Sequence, residues 1–180
     1  SISFPLRKVF QSKKNVHIRV TEVKHINPEA NVIETGLGAI EYDYLVLATG
    51  ADTNFFGMKN IIENAMPMKS VSEALAIRNR VLQNFEDALS AQSLEERLGL
   101  MNIVIVGGGP TGVEIAGTLA EMKRHILPKD YPELNFDSMQ IYLYESSPAV
   151  LEVMSQEASV KAKEYLTDLG VNLRLGMRIT

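Results

Sequence analysis

The sequence predicts an α/β fold: a parallel sheet preceded by a small antiparallel β-meander. Three features predict it. Residues 102–175 read as strand, glycine loop, helix, strand, helix, strand, an order that builds a parallel sheet through right-handed crossovers. The glycine run 107–109 falls at the first strand-to-helix junction of that array. Before it, residues 16–38 carry short apolar–polar runs separated by Asn, Pro and Gly, the pattern of antiparallel strands with one wet face.

Each element follows from local chemistry. Val16-His17-Ile18-Arg19-Val20 alternates and predicts a half-buried strand, which Val23-Lys24-His25-Ile26 extends. Asn27-Pro28-Glu29-Ala30-Asn31 predicts a turn, Val32-Ile33-Glu34-Thr35 a second strand and Gly36-Leu37-Gly38 a second turn. Residues 42–48 end in the continuous apolar run Tyr44-Leu45-Val46-Leu47-Ala48, which suits a strand buried on both faces. Thr49-Gly50 stops it, and Gly50 permits a tight exit where backbone can approach a ligand. Residues 51–68 read as a loop. Ser70-Val71-Ser72-Glu73 matches a capping box. The helix it opens carries Ala74, Ile77, Val81, Phe85 and Ala88 on one face, and the pattern fades over 90–99, a candidate boundary.

Ile103-Val104-Ile105-Val106 predicts the first strand of the parallel array. The helix after the glycines presents Ile115, Leu119, Met122 and Ile126 on one stripe, with Pro128 as its stop. Residues 128–138 read as an inserted polar loop, and 140–144 as the second strand. Ser155 caps a helix reaching Leu169, Gly170 ends it, and Val171-Asn172-Leu173-Arg174-Leu175 is the third strand.

Composition bounds the function. The 180 residues include 18 Lys+Arg and 22 Asp+Glu, a formal net charge of −4, with 46% hydrophobic and 22% charged residues. This is globular composition, and its length suits one domain or two small ones at roughly 100–200 residues each. The acidic balance argues against nucleic acid as the partner. With no cysteine, this chain has no disulfide, thiolate metal site or Cys nucleophile, as suits a reducing compartment. No apolar stretch approaches the roughly 18 residues of a membrane span. Ser1-Ile2-Ser3-Phe4-Pro5 lacks the pattern of a signal peptide. His17, His25 and His125 have no metal-ligand spacing, and Arg7, Lys8, Lys13 and Lys14 read as a solvated basic face.

The chemistry concentrates in Gly107-Gly108-Gly109-Pro110-Thr111-Gly112. A GxGxxG between a buried strand and a helix, inside a βαβ unit, marks a Rossmann-like FAD/NAD(P)-binding fold. Gly107 makes the tight turn, Gly109 admits a pyrophosphate to the backbone, and Gly112 lets helix and strand pack closely. Exposed N–H groups and the positive helix end hold phosphates, and Pro110 suits a first helical turn. The bland alternative is a glycine turn that binds nothing.

Glu145, at the end of the second strand, is the candidate for the ribose of NADH; its carboxylate would repel the 2′-phosphate of NADPH. It lies 33 residues beyond Gly112, against a usual gap of about 20; the inserted loop accounts for the excess. A solvated strand-end acid is the alternative. Glu114 has two open readings: an anion stabilised in the first helical turn, or an acid facing the nicotinamide end and the one candidate catalytic residue.

Two stretches carry a family resemblance. Residues 42–51 (YDYLVLATGA) resemble the second flavin-binding motif of two-dinucleotide-binding-domain flavoproteins, and 107–114 (GGGPTGVE) their NADH motif. Thr53-Asn54-Phe55-Phe56-Gly57, Pro67-Met68-Lys69 and Glu73-Ala74-Leu75-Ala76-Ile77-Arg78-Asn79 make the chain most similar to type II NADH dehydrogenases, FAD-dependent NADH:quinone oxidoreductases of the pyridine nucleotide-disulfide oxidoreductase superfamily. The resemblance implies FAD and NADH as cofactors, with hydride passing from NADH to FAD and electrons to a quinone. It implies that Gly107, Gly109, Pro110, Thr111, Gly112 and Glu145 bind NADH, and that Thr49 and Gly50 lie near the FAD phosphates and ribityl chain. It also matches Val23 to a backbone contact with the FAD adenine, and Glu114 to the nicotinamide–flavin junction.

The resemblance further implies an internal fragment built from two partial domains. Residues 1–68 would be the C-terminal part of the first FAD-domain segment, 69–98 a connecting helix and 99–180 a partial NADH-binding domain. The isolated piece is then expected to be inactive and to carry little FAD, since the family's first phosphate loop would lie upstream. The parent is expected to be cytoplasmic, on the cytoplasmic face of the membrane through a C-terminal region, and to form a homodimer. Another flavin reductase of disulfide or ferredoxin reductase type, or a non-catalytic dinucleotide-binding module, is the alternative.

Overall fold

The computed structural model describes residues 5–55 and 57–179, in two compact units that divide between Asp52 and Thr53. Residues 1–4, read as no signal peptide, and Phe56, one of the residues carrying the resemblance, lie outside the described residues.

The first unit opens with a short helix, α1 (Leu6–Val9), and is built on an antiparallel meander of β1 (Val23–Asn27), β2 (Val32–Thr35) and β3 (Gly38–Glu41). Ile26, Ile33 and Ile40 pair in register across the three strands, so one apolar row crosses the sheet. The Asn27 carboxamide accepts the N–H groups of Glu29 and Ala30, the turn that Asn favours at this position. The buried Thr35 hydroxyl donates to the Gly38 carbonyl and accepts from the Leu37 N–H, closing the second turn.

Two strand expectations fail here. Residues 16–20 form no strand, because alternation supplies a face but not a neighbouring backbone to pair with. Residues 42–48 are irregular, with Tyr44 93%, Val46 84% and Leu47 67% exposed. A doubly buried strand needs a layer on each face, and among the described residues β1–β3 form a three-stranded sheet that 42–48 does not join.

The second unit begins with α2 (Lys59–Asn64), inside the segment the sequence reads as loop. The capping box forms as predicted: Glu73 N–H donates to Ser70 Oγ at 3.3 Å, and Ser70 N–H donates to the Glu73 carboxylate at 2.7 Å. It opens α3 (Val71–Leu89), which buries Phe85 and Ala88. Residues 90–99, the candidate boundary, carry most of a further helix, α4 (Leu94–Met101), capped by Ser93 and packed on α3.

Then follow β4 (Ile103–Val106), α5 (Pro110–His125), the short α6 (Leu127–Asp130), a 3-10 turn (Phe136–Ser138), β5 (Ile141–Glu145), α7 (Gln156–Asp168) and β6 (Asn172–Leu175). The strands pair in parallel in the order β4-β5-β6, with Ile105, Leu143 and Leu173 in register. Ala116, Leu119 and Ala120 of α5 and Leu166 of α7 pack with Ile105, Ile141 and Leu143 in one core. Each fully buried Ile or Leu contributes roughly 1.5–3 kcal/mol.

The predicted stripe of α5 faces the core through Leu119, which is buried, and Ile115 and Met122, which pack against it, and the buried face is wider than predicted. Ala116, Gly117, Leu119 and Ala120 are buried, while Ile126 is 48% exposed. Ala116, Gly117 and Ala120 widen that face with small residues, and Gly117 turns toward Tyr165 and Leu166 of α7. α5 ends at His125, just short of Pro128, which sits in the first turn of α6. The expected inserted loop is also core: Leu134 and Phe136 are buried, and the Tyr131 and Phe136 rings each lie 5.5 Å from Phe85. Ser155 caps α7 through the Ala158 N–H. At its other end, Gly170 N–H donates to Thr167 O and Val171 N–H to Leu166 O, a Schellman motif.

Candidate glycine-loop site

The candidate site lies at the C-terminal end of the parallel strands, where α/β sheets bind ligands. Past Val106 the chain must leave the sheet and enter α5 within a few residues. Gly107 does this at φ 107°, a left-handed conformation that disfavours any side chain, with its N–H donating to Tyr144 O. A Cβ on Gly112 would lie 1.9 Å from the Gly107 carbonyl oxygen, so only glycine lets α5 start this close to β4. A Cβ on Gly109 would meet nothing within 4 Å, so the space over this N-cap is open to a ligand. The first backbone bond into α5 is Val113 N–H to Gly109 O. It leaves the N–H groups of Gly109, Thr111 and Gly112 outside the helix ladder, at the positive end of the helix dipole. Pro110 has no N–H to satisfy. These residues fit a dinucleotide pyrophosphate.

The Glu145 carboxylate reaches this loop. Its Oε2 accepts the Gly108 N–H at 2.5 Å; its Oε1 accepts the Ser147 N–H at 2.7 Å and the Ser146 hydroxyl at 3.1 Å. Burial pushes this carboxyl up, but the Ser147 and Gly108 N–H groups and the Ser146 and Ser147 hydroxyls together hold it below the usual carboxylate range. Gly108 is fastened from its other side as well, since its carbonyl accepts the Leu151 N–H at 2.8 Å. Leu151, at φ 53°, belongs to the connection between β5 and α7. Gly176 N–H to Ser147 O and Met177 N–H to Glu145 O tie the exit of β6 to the same corner.

A folded-state pKa below the unfolded one stabilises the fold above the unfolded value, and that contribution disappears as pH falls through the depressed folded value. Glu145→Gln is therefore expected to be less stable than the parent chain at pH 7, with the gap closing below the usual carboxylate range. Urea midpoints of both proteins at pH 7 and pH 3 check this, and a gap that stays constant contradicts it.

The structure thus brings Gly107, Gly109, Pro110, Thr111, Gly112 and Glu145 to one corner. Glu114 is exposed on α5, lining a shallow groove of about 580 Å³ with Val113, Gly117, Glu121 and Tyr165. In the first unit, Val23 is 55% exposed in β1, beside a register irregularity between Val23 and His25. Thr49 and Gly50 lie in the irregular segment after 48, Gly50 at φ 76° with nothing within 4 Å of its Cβ position. Gly108, Ser147 and Leu151 escaped the sequence reading. A third glycine at the variable position of the motif was the available sign of a close approach there.

The family described as pyridine nucleotide-disulphide oxidoreductase matches residues 2–180. A type II NADH:quinone oxidoreductase of Mycobacterium tuberculosis is 35% identical over 183 residues, covering 99% of this chain and 40% of that protein. An external alternative NAD(P)H-ubiquinone oxidoreductase of Arabidopsis thaliana mitochondria is 37% identical, covering 78% of this chain and 24% of that protein. The chain therefore spans well under half the length of these relatives. Among solved structures, NDH2 from Plasmodium falciparum in complex with NADH superposes with a TM-score of 0.71 at 28% identity, over 86% of this chain and 32% of that one. A ferredoxin reductase from Rhodopseudomonas palustris, at 22% identity and a TM-score of 0.64, shares the fold.

Proposed function

Because this chain belongs to the pyridine nucleotide-disulphide oxidoreductase family, we propose that it forms part of an FAD-dependent NADH:quinone oxidoreductase of the type II NADH dehydrogenase class. The observation that carries this reading is the glycine loop at the N-terminus of α5 with the Glu145 carboxylate at its mouth. The N–H groups of Gly109, Thr111 and Gly112 and the positive end of α5 hold the pyrophosphate of NADH. Gly107 turns the chain toward it, and Pro110 sets the first helical turn without an idle donor. Glu145 accepts from the adenosine ribose and repels a 2′-phosphate, which favours NADH over NADPH. Glu114, in the first turns of α5, is the acid assigned to the nicotinamide–flavin junction. Val23 is assigned to the FAD adenine, and Thr49 and Gly50 to its phosphates and ribityl chain, where the open backbone at Gly50 supports a close approach.

Bound FAD supplies the capacity to accept a hydride and deliver electrons to a quinone; this chain's share is binding and orientation. In this reading residues 1–68 belong to the FAD domain, 69–98 connect, and 99–180 belong to the NADH domain. The resemblance also supports a cytoplasmic homodimer working at the cytoplasmic face of the membrane. Among the described residues no helix is long and apolar enough to cross one.

Calorimetric titration of the chain with NADH and NADPH tests the nucleotide half of this proposal. NADH is expected to bind the more tightly, and equal affinities would remove Glu145 from cofactor selection. The acceptor half is tested by NADH oxidation in the FAD-loaded whole enzyme with a soluble quinone. A rate independent of quinone concentration, from limiting to saturating, overturns it.

A further inference from the structure

We propose that Glu145 is the positioning residue of the glycine loop: its carboxylate holds Gly108 in the binding shape before a dinucleotide arrives. This rests on the dinucleotide reading above and adds to it a task that needs no ligand. Both backbone groups of Gly108 are taken by the β5–α7 side, its N–H by Glu145 and its carbonyl by the Leu151 N–H. The side chain also fills the space a Cβ at Gly108 would need, with Glu145 Cβ and Cγ both 3.0 Å from that position. Gly108 itself is buried, so an N–H deprived of this acceptor has no ready access to water.

The carboxylate's own capacity points the same way. A carboxylate offers roughly four lone-pair sites. Gly108 N–H, Ser147 N–H and the Ser146 hydroxyl occupy three of them. The Ser147 hydroxyl also acts on the carboxylate, so a ribose offering two hydroxyls finds at most one free acceptor site and must displace a partner for the second. Glu145 therefore acts on the phosphate loop through Gly108 as well as on the ribose directly. A residue that only reads ribose hydroxyls has no effect on a ligand without them.

Two measurements on the full chain separate these roles. In the ligand-free protein, Glu145→Gln should speed hydrogen exchange of the Gly108 amide about ten-fold relative to the parent chain, a shift of about 1.4 kcal/mol. The amides of α3 serve as the folding reference. Unchanged Gly108 protection overturns the proposal whatever the chain binds. The second measurement titrates both proteins with NADH and with an NADH analogue lacking the 2′- and 3′-hydroxyls of its adenosine ribose. The latch predicts that Glu145→Gln still weakens the analogue about five-fold. Equal analogue affinity for both proteins, with a difference on NADH alone, leaves Glu145 a ribose reader and overturns the latch. If the parent chain binds neither ligand, the dinucleotide reading fails, while the exchange result still decides whether Glu145 holds the loop. Gly108→Ala provides a second route, because its Cβ displaces Glu145 while leaving the charge in place. It should weaken the analogue as Glu145→Gln does, and unchanged analogue affinity counts against the latch.

Discussion

Replacing Gly112 with alanine is expected to destabilise the second unit by roughly 3 kcal/mol and to lower NADH affinity at least about 100-fold. The added Cβ would lie 1.9 Å from the Gly107 carbonyl oxygen, a backbone atom that no rotamer change can move aside. Either α5 withdraws from β4 or the Gly107 turn opens, and both movements take the first-turn N–H groups away from a phosphate. Gly109→Ala is the informative partner. Its Cβ meets nothing within 4 Å, and its φ of −73° is open to alanine, so its stability cost should stay near or below about 1 kcal/mol. Yet in the proposed reading the methyl stands where the pyrophosphate approaches, so NADH binding should fall as it does for Gly112→Ala. Urea unfolding and nicotinamide fluorescence titration of the two variants check this. Gly109→Ala binding NADH with parental affinity would mean that the open face of the loop is not the phosphate site.

Phe85→Ala is expected to cost about 3–5 kcal/mol of stability, the range for deleting a fully buried aromatic side chain. Phe85 is 1% exposed, and its ring meets Tyr131 at 5.5 Å and Phe136, edge-on, at 5.5 Å. The loss therefore includes aromatic contacts as well as a cavity. Those rings tie α3 to residues 127–138, the stretch between α5 and β5, so the substitution should also loosen the lead into β5. Leu82→Ala, three residues earlier on the same helix and 37% exposed, should cost about 1 kcal/mol or less. Chemical denaturation of the two variants compares them directly. A Phe85→Ala cost near that of Leu82→Ala would contradict the aromatic core.

The stretch around Phe136 shows why part of the fold was not legible. Its Pro, Asp and Asn content predicts a solvated loop, and locally it is mostly irregular. Phe136, Leu134 and Tyr131 are spaced without helical or strand period, so nothing in their order indicates that they share a partner. That partner, Phe85, comes from a helix some fifty residues earlier. The apolar run at 44–48 errs in the opposite direction. Its composition records a need for cover on two faces, but composition cannot supply the covering layers, and Val46 stays 84% exposed.

What the sequence determined alone is whatever depends on a few neighbouring residues. The capping box at Ser70 and Glu73, the Ser155 cap, the Gly170 stop, the three parallel strands and the glycine turn at 107–112 are of that kind, because a hydroxyl, a missing Cβ or an apolar period acts within one or two turns of chain. Only the tertiary structure decided that 127–138 joins the core, and that the Glu145 carboxylate accepts from Gly108, 37 residues away. Such contacts are set by how the sheet and helices dock. The acceptor that satisfies a buried N–H is chosen by distance in space, which residue order does not record.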